Sequence, residues 1–151
     1  MPLVVMYCCS TYPAEASMLN LRCVQTYQRE FPRHVIGYSG HEVGVFPSGV
    51  AVTLGARVVE RHITLDRTWP GSDHAASLEF DGLRRVVRDC KSVRMILGDG
   101  VKRVLSSEAA SYEKLGKSLV STRAIAKGTK LTPEMLTTKS PGTGISPLQY
   151  D

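Results

Sequence analysis

Long apolar runs are missing from this 151-residue chain, and so are paired cysteines at metal-binding or redox spacing. Nothing approaches the ~20 consecutive apolar residues a membrane-spanning helix requires. Met1-Pro2-Leu3-Val4-Val5-Met6 has neither the basic start nor the apolar length of a secretory leader, so a cytoplasmic protein is expected. The four cysteines (Cys8, Cys9, Cys23, Cys90) contain no CxxC unit, which excludes a zinc knuckle and suggests reduced, mostly buried thiols. Adjacent cysteines form strained bridges, so Cys8-Cys9 is not read as a redox pair. Acidic residues are also fewer than basic ones, 14 against 19, for a net charge of +5. The basic residues are scattered, and the run Arg84, Arg85, Arg88, Lys91, Arg94 reads as the solvated face of a helix. A dedicated nucleic-acid binder is therefore not expected, whereas an anionic small substrate is compatible.

What is present is an alternation of short apolar runs and helical patterns. With 42% apolar residues the chain can bury a core of about one domain. Leu3-Val4-Val5-Met6-Tyr7-Cys8 reads as a strand buried on both faces and ended by the turn-prone Ser10-Thr11-Tyr12-Pro13. Asn20 is the expected N-cap of a helix with Leu21, Val24, Tyr27 and Phe31 on one face, stopped by Pro32. Val35-Ile36-Gly37-Tyr38 and Arg57-Val58-Val59-Glu60 are the next strands, separated by a small-residue segment from Pro47 to Leu54 that can pack on a sheet. Ser77 is expected to cap a helix carrying Phe80, Leu83, Val86, Val87, Cys90, Val93 and Leu97, terminated by Gly98. Three strand-helix units of this kind predict parallel strands with right-handed crossovers.

Two histidines follow the second and third strands, His41 in Gly40-His41-Glu42 and His62 in Arg61-His62-Ile63. Their 21-residue separation accommodates a loop, a helix and a return strand, so both imidazoles are expected at the C-terminal edge of one sheet. Substrates and metals bind at that edge in α/β folds. An isolated histidine more often makes one hydrogen bond to a loop carbonyl, but two at equivalent strand ends point to a site. His34 and His74 are read as loop or surface residues, His74 with the option of reaching a substrate beside Asp73, and Trp69 as a loop anchor.

The texture changes near Lys114. Ser118-Leu119-Val120-Ser121 and then Ile125 to Thr132 read as short-strand sequence in which Gly128 closes a turn between two short strands, with Pro133 to Leu136 as a helical turn and Pro141 to Pro147 as a loop. The expected division is 1–113 and 114–151.

The strings Gly37-Tyr38-Ser39-Gly40-His41-Glu42, Gly55 to Asp66 (GARVVERHITLD) and Trp69 to Glu79 (WPGSDHAASLE) resemble the sialic acid synthase family, of the animal type that makes N-acetylneuraminate 9-phosphate. The stretch from Lys117 to Pro147 resembles that family's antifreeze-like (SAF) module. The resemblance implies an α/β fold, a partial (β/α)8 TIM barrel represented by its last three β/α units, followed by the start of the β-rich module. It implies condensation of phosphoenolpyruvate with N-acetylmannosamine or its 6-phosphate, assisted by Mn2+ or Mg2+. On this likeness His41 and His62 are the catalytic metal ligands, Ser39 and Ser10 contact phosphate, with Ser39 expected before a helix N-terminus, and Asp73 binds the sugar. The family's full-length members are homodimers whose module reaches over the partner's active site; the arginine it contributes beside Pro-Gly is Ser140 here. A barrel needs about 250 residues, so the expectation is an inactive fragment, exposed at two sheet edges and prone to aggregate. Two other readings stand beside it. One is a non-catalytic piece that associates with a full-length synthase, and the other a small metal-dependent hydrolase using the histidine pair with Glu42 or Asp66.

Overall fold

A strand continues into its neighbour only where each backbone group finds a partner, and here three short apolar runs satisfy one another side by side. In the computed structural model, which describes residues 3–150, β1 (Val4–Cys8), β2 (Val35–Gly40) and β3 (Val58–Arg61) form a parallel sheet in that order. The register sets Cys8 beside Ser39 and Ser39 beside Glu60, with Gly40 beside Arg61, so the three C-terminal ends finish in one row. Between the strands run α1 (Cys23–Glu30) and α2 (Phe46–Thr53); after them come α3 (Ser72–Ala76) and α4 (Phe80–Leu97). The α/β fold with a parallel sheet is thus as the sequence led one to expect.

Alternation along the strands decides which face is covered. Ile36 and Tyr38 point to the helical side and are buried with Val24, Ala51 and Ala56, while Tyr7 packs its ring edge against Tyr27 at 5.7 Å. Each fully buried side chain of this size contributes about 1.5–3 kcal/mol. On the opposite face Val4, Val35 and Val58 remain 41%, 43% and 38% exposed. β1 and β3 each pair on one side only among the described residues.

Several local expectations are corrected. Asn20 does not cap α1; its φ of 38° places it in a left-handed turn whose carbonyl accepts from Cys23 N–H, and the helix starts at Cys23 behind Arg22. The helix expected between the second and third strands is present over the small-residue segment, where proline in the first turn costs no backbone bond. Ser77 ends α3 instead of starting α4, its hydroxyl donating to the Asp73 carbonyl at 2.5 Å, and Glu79 precedes α4. The apolar stripe of α4 exists, yet only Val86 is buried, with Phe80 74% exposed. The thiols are free but not mostly buried: Cys8 is exposed and the other three are half-buried.

The second compact unit comprises the described residues after Gly100. It contains α5 (Ala109–Leu115) and an antiparallel pair, β4 (Ser118–Ser121) with β5 (Leu136–Lys139). The expected strand from 125 to 132 is absent, so the partner of β4 comes from beyond the turn at Pro133–Met135; Gly128, at φ 86°, lies within the connecting loop. The Ser118 hydroxyl donates to the Pro141 carbonyl at 2.6 Å and accepts from Gly144 N–H, tying the Pro-Gly loop to β4. Ser140 accepts from the Lys117 ammonium and donates to the Leu115 carbonyl.

Candidate functional site

The row of strand ends delivers its side chains to one rim. His41 follows β2 directly and His62 follows β3, and their rings meet edge to face with centroids 4.9 Å apart. Returning segments pin both backbones. The His41 carbonyl accepts from Ala14 N–H at 3.0 Å and the His62 carbonyl from Leu78 N–H at 2.8 Å. His41 is only 3% exposed. Its Nδ1, 3.2 Å from the Cys9 carbonyl, donates to that oxygen when it carries the ring proton, which leaves Nε2 as an acceptor. The Cys8 thiol lies 3.7 Å from the same nitrogen.

Tyr12 closes the group. Its ring lies 4.2 Å from His41 and 5.8 Å from His62, centroid to centroid, so one phenol covers both imidazoles. Partial burial, followed by the neighbouring Cys8, Asp73 and Glu60, holds this phenol above its ordinary pKa, and at neutral pH it is a hydroxyl donor. The sequence marked Tyr12 only as part of a turn. It lies four residues past the end of β1, whereas the histidines lie one residue past β2 and β3, so its arrival at the rim depends on how that loop folds.

Asp73, in the first turn of α3, brings Oδ2 to 3.9 Å from His62 Nδ1, so the third expected residue joins the pair. Ser10 stands at the same rim with its hydroxyl 3.4 Å from the Cys8 sulfur. Ser39 differs from expectation. It lies inside β2, α2 begins only at Phe46, and its hydroxyl donates to Glu60 Oε1 at 2.7 Å, so no free helix N-terminus adjoins it. His74 does not turn toward the pair; its Nδ1 lies 2.7 Å from the Thr64 hydroxyl, with its ring against Trp69.

Beneath the rim lies a buried polar cluster. Arg61 Nη1 donates to Glu42 Oε1 at 2.9 Å, to the Gly44 carbonyl and to the Ser48 hydroxyl, and Nη2 donates to the Glu42 carbonyl. The Tyr38 hydroxyl donates to the other Glu42 oxygen at 2.7 Å. Burial, reinforced by the Glu42 carboxylate, raises the Tyr38 pKa far above that of free tyrosine. Glu42 is therefore fully engaged. Asp66 accepts from the Thr68 hydroxyl and N–H at 2.6 and 2.8 Å, both at Oδ1, bonds that lower its pKa. Glu42, with both oxygens committed, is not available as the extra group a hydrolase built on the histidine pair would need.

No grouping of three or more histidine, cysteine or acidic side chains suited to hold an ion occurs among the described residues. Two imidazole nitrogens from His41 and His62 do suit a borderline divalent cation that keeps its remaining positions for water or substrate oxygen. No helix of the described residues is long and apolar enough to cross a membrane.

Comparison with known proteins identifies the family. Residues 1–102 match the NeuB family and residues 116–150 the SAF domain. The chain is 52% identical over 132 residues to the N-acetylneuraminate-9-phosphate synthase of Homo sapiens, covering 87% of this chain and 37% of that protein. It is 38% identical over 149 residues to the N,N'-diacetyllegionaminic acid synthase of Campylobacter jejuni, covering 99% of this chain and 44% of that one. Among solved structures it resembles the N-acetylneuraminic acid synthetase of Leptospira borgpetersenii, at 34% identity and a TM-score of 0.61 over 72% of this chain and 38% of that one. The chain thus spans about two fifths of the length of these relatives. With residues 1–102 matching the NeuB model and an SAF segment behind them, the chain belongs to the NeuB family of sialic acid and related nonulosonic acid synthases.

Proposed function

We propose that this chain carries part of the active site of a sialic acid synthase, a cytoplasmic enzyme that condenses phosphoenolpyruvate with N-acetylmannosamine or its 6-phosphate. The products are N-acetylneuraminate, or its 9-phosphate, and inorganic phosphate. The carrying observation is the convergence of His41, His62, Tyr12 and Asp73 on the C-terminal rim of a parallel sheet. The three strands correspond in this reading to the last three of a (β/α)8 barrel, and further strands complete the site. The chain by itself is then inactive.

In the reaction, C3 of phosphoenolpyruvate forms a bond to the aldehyde carbon, water adds to C2, and the C2–O bond to phosphate breaks. His41 and His62 would hold Mn2+ or Mg2+, whose chemistry is to polarise the aldehyde oxygen. The Cys9 carbonyl fixes which His41 nitrogen is free to do so. Asp73 and the Tyr12 hydroxyl offer an acceptor and a donor for sugar hydroxyls. Of the two serines, Ser10 is the more available for phosphate, since Ser39 must first leave Glu60. In a homodimer, the SAF segment would serve the partner's site.

A chimera tests the reading: residues 3–100 replace the matching segment of the human synthase, and phosphate release from phosphoenolpyruvate is followed with N-acetylmannosamine 6-phosphate and Mn2+. Activity that disappears with His41→Ala supports it. A folded chimera without activity overturns it.

A further inference from the structure

The two residues that bridge the strand ends most tightly are not the histidines but their chain neighbours. Glu42 follows His41, Arg61 precedes His62, and their side chains are 3% and 1% exposed. The guanidinium grips Glu42 through both its carboxylate and its main-chain carbonyl, and takes the Gly44 carbonyl besides. Three of these bonds therefore join the end of β3 to the backbone or side chain of the segment just past β2. Tyr38 anchors the same carboxylate from within β2, three residues before His41. Adding a Cβ to Gly40 would place it 2.6 Å from Glu42 Oε2 and 2.8 Å from the Tyr38 ring, so the closeness of this packing depends on glycine there.

A fork of this kind fixes direction as well as distance, which a single ammonium does not. Buried ion pairs are poor sources of net stability compared with apolar replacements of equal volume. We propose that the buried Arg61–Glu42 pair is a positioning device that sets the spacing and mutual orientation of the His41 and His62 imidazoles. Arg61 and Glu42 touch no substrate in this scheme; they act through the histidines, and the inference rests on the functional reading above only for what the imidazoles hold.

The test uses the 151-residue chain with Glu42→Leu and Arg61→Met introduced together, so that no buried charge is left alone. Nuclear Overhauser contacts between the two imidazole rings and with Tyr12 are recorded, and Co2+ is titrated by its visible absorption. The expected result is a folded variant with native-like circular dichroism and thermal midpoint, lost ring-to-ring contacts, and Co2+ binding weakened at least tenfold, the scale on which supporting groups act on metal ligands. Retained ring contacts and unchanged Co2+ affinity would overturn the proposal. If the double variant does not fold, Arg61→Lys carries the test, because it keeps the charge and removes the fork; altered ring contacts support the proposal and native ones refute it. Should the wild-type chain bind no Co2+, the metal reading falls, and the ring contacts alone decide the positioning role.

Discussion

Ser39 donates its hydroxyl to Glu60 across neighbouring strands at 2.7 Å, which places a carboxylate where an incoming phosphate would otherwise meet an alcohol. An anion reaching this point must displace or neutralise that carboxylate. Glu60→Gln is therefore expected to strengthen binding of inorganic phosphate near Ser39 several-fold, read as chemical-shift changes at Ser39 and Gly40. No change in affinity would show that anions do not approach this serine.

The phenol over the imidazoles predicts their reactivity. Tyr12→Ala should raise the rate at which diethyl pyrocarbonate modifies His41 by several-fold, measured by mass spectrometry of peptides, because His41 is nearly inaccessible beneath that ring. Loss of the aromatic contact is also expected to cost about 1 kcal/mol in urea unfolding.

Alkaline unfolding should carry the mark of Tyr7. Burial, then the nearby Cys23, raises this phenol to about 12, and its hydroxyl donates to the Leu19 carbonyl at 2.6 Å. The unfolded chain releases the proton near pH 10 while the folded chain keeps it, so the folded state is the one that binds more protons above that pH. The stabilisation is complete below pH 10 and is lost as pH rises toward 12. Tyr7→Phe should flatten the fall in stability across that window; an unchanged slope would assign it to other groups.

Gly71, immediately before α3, has φ 126° and ψ 143°, a region open essentially to glycine alone. Gly71→Ala is expected to destabilise the chain by about 1–3 kcal/mol and to move Asp73 away from His62. Thermal unfolding and the loss of nuclear Overhauser contacts between the Asp73 and His62 side chains, which lie 3.9 Å apart in the native chain, would report both consequences.

Core truncation sets the scale against which these effects are read. Ile36 is 3% exposed in the middle strand, and Ile36→Ala should cost about 2–5 kcal/mol by urea denaturation.

Strand positions were legible because buried parallel strands are written as unbroken apolar runs, and the histidine pair because each follows such a run at equivalent register. Features set by longer-range pairing were not. Nothing local in Ile125 to Thr132 says that β4 will take residues 136–139 instead; that pairing follows the Pro133–Met135 turn. Asn20 and Ser77 have the chemistry of N-caps, but their backbones were claimed by other turns. The involvement of Tyr12 required knowing how the loop after β1 folds back, which Ala14 achieves by pairing with the segment just past β2. Glu42 looked like a spare acid from its neighbours in sequence; its commitment to Arg61 and Tyr38 is visible only in three dimensions.

Val4, Val35 and Val58 lie on the uncovered face of the sheet. Salts that are excluded from protein surfaces strengthen apolar association, so ammonium sulfate should bring this chain out of solution at concentrations that merely stabilise a protein with both sheet faces clothed. Arginine or a mild detergent is the better companion during its purification.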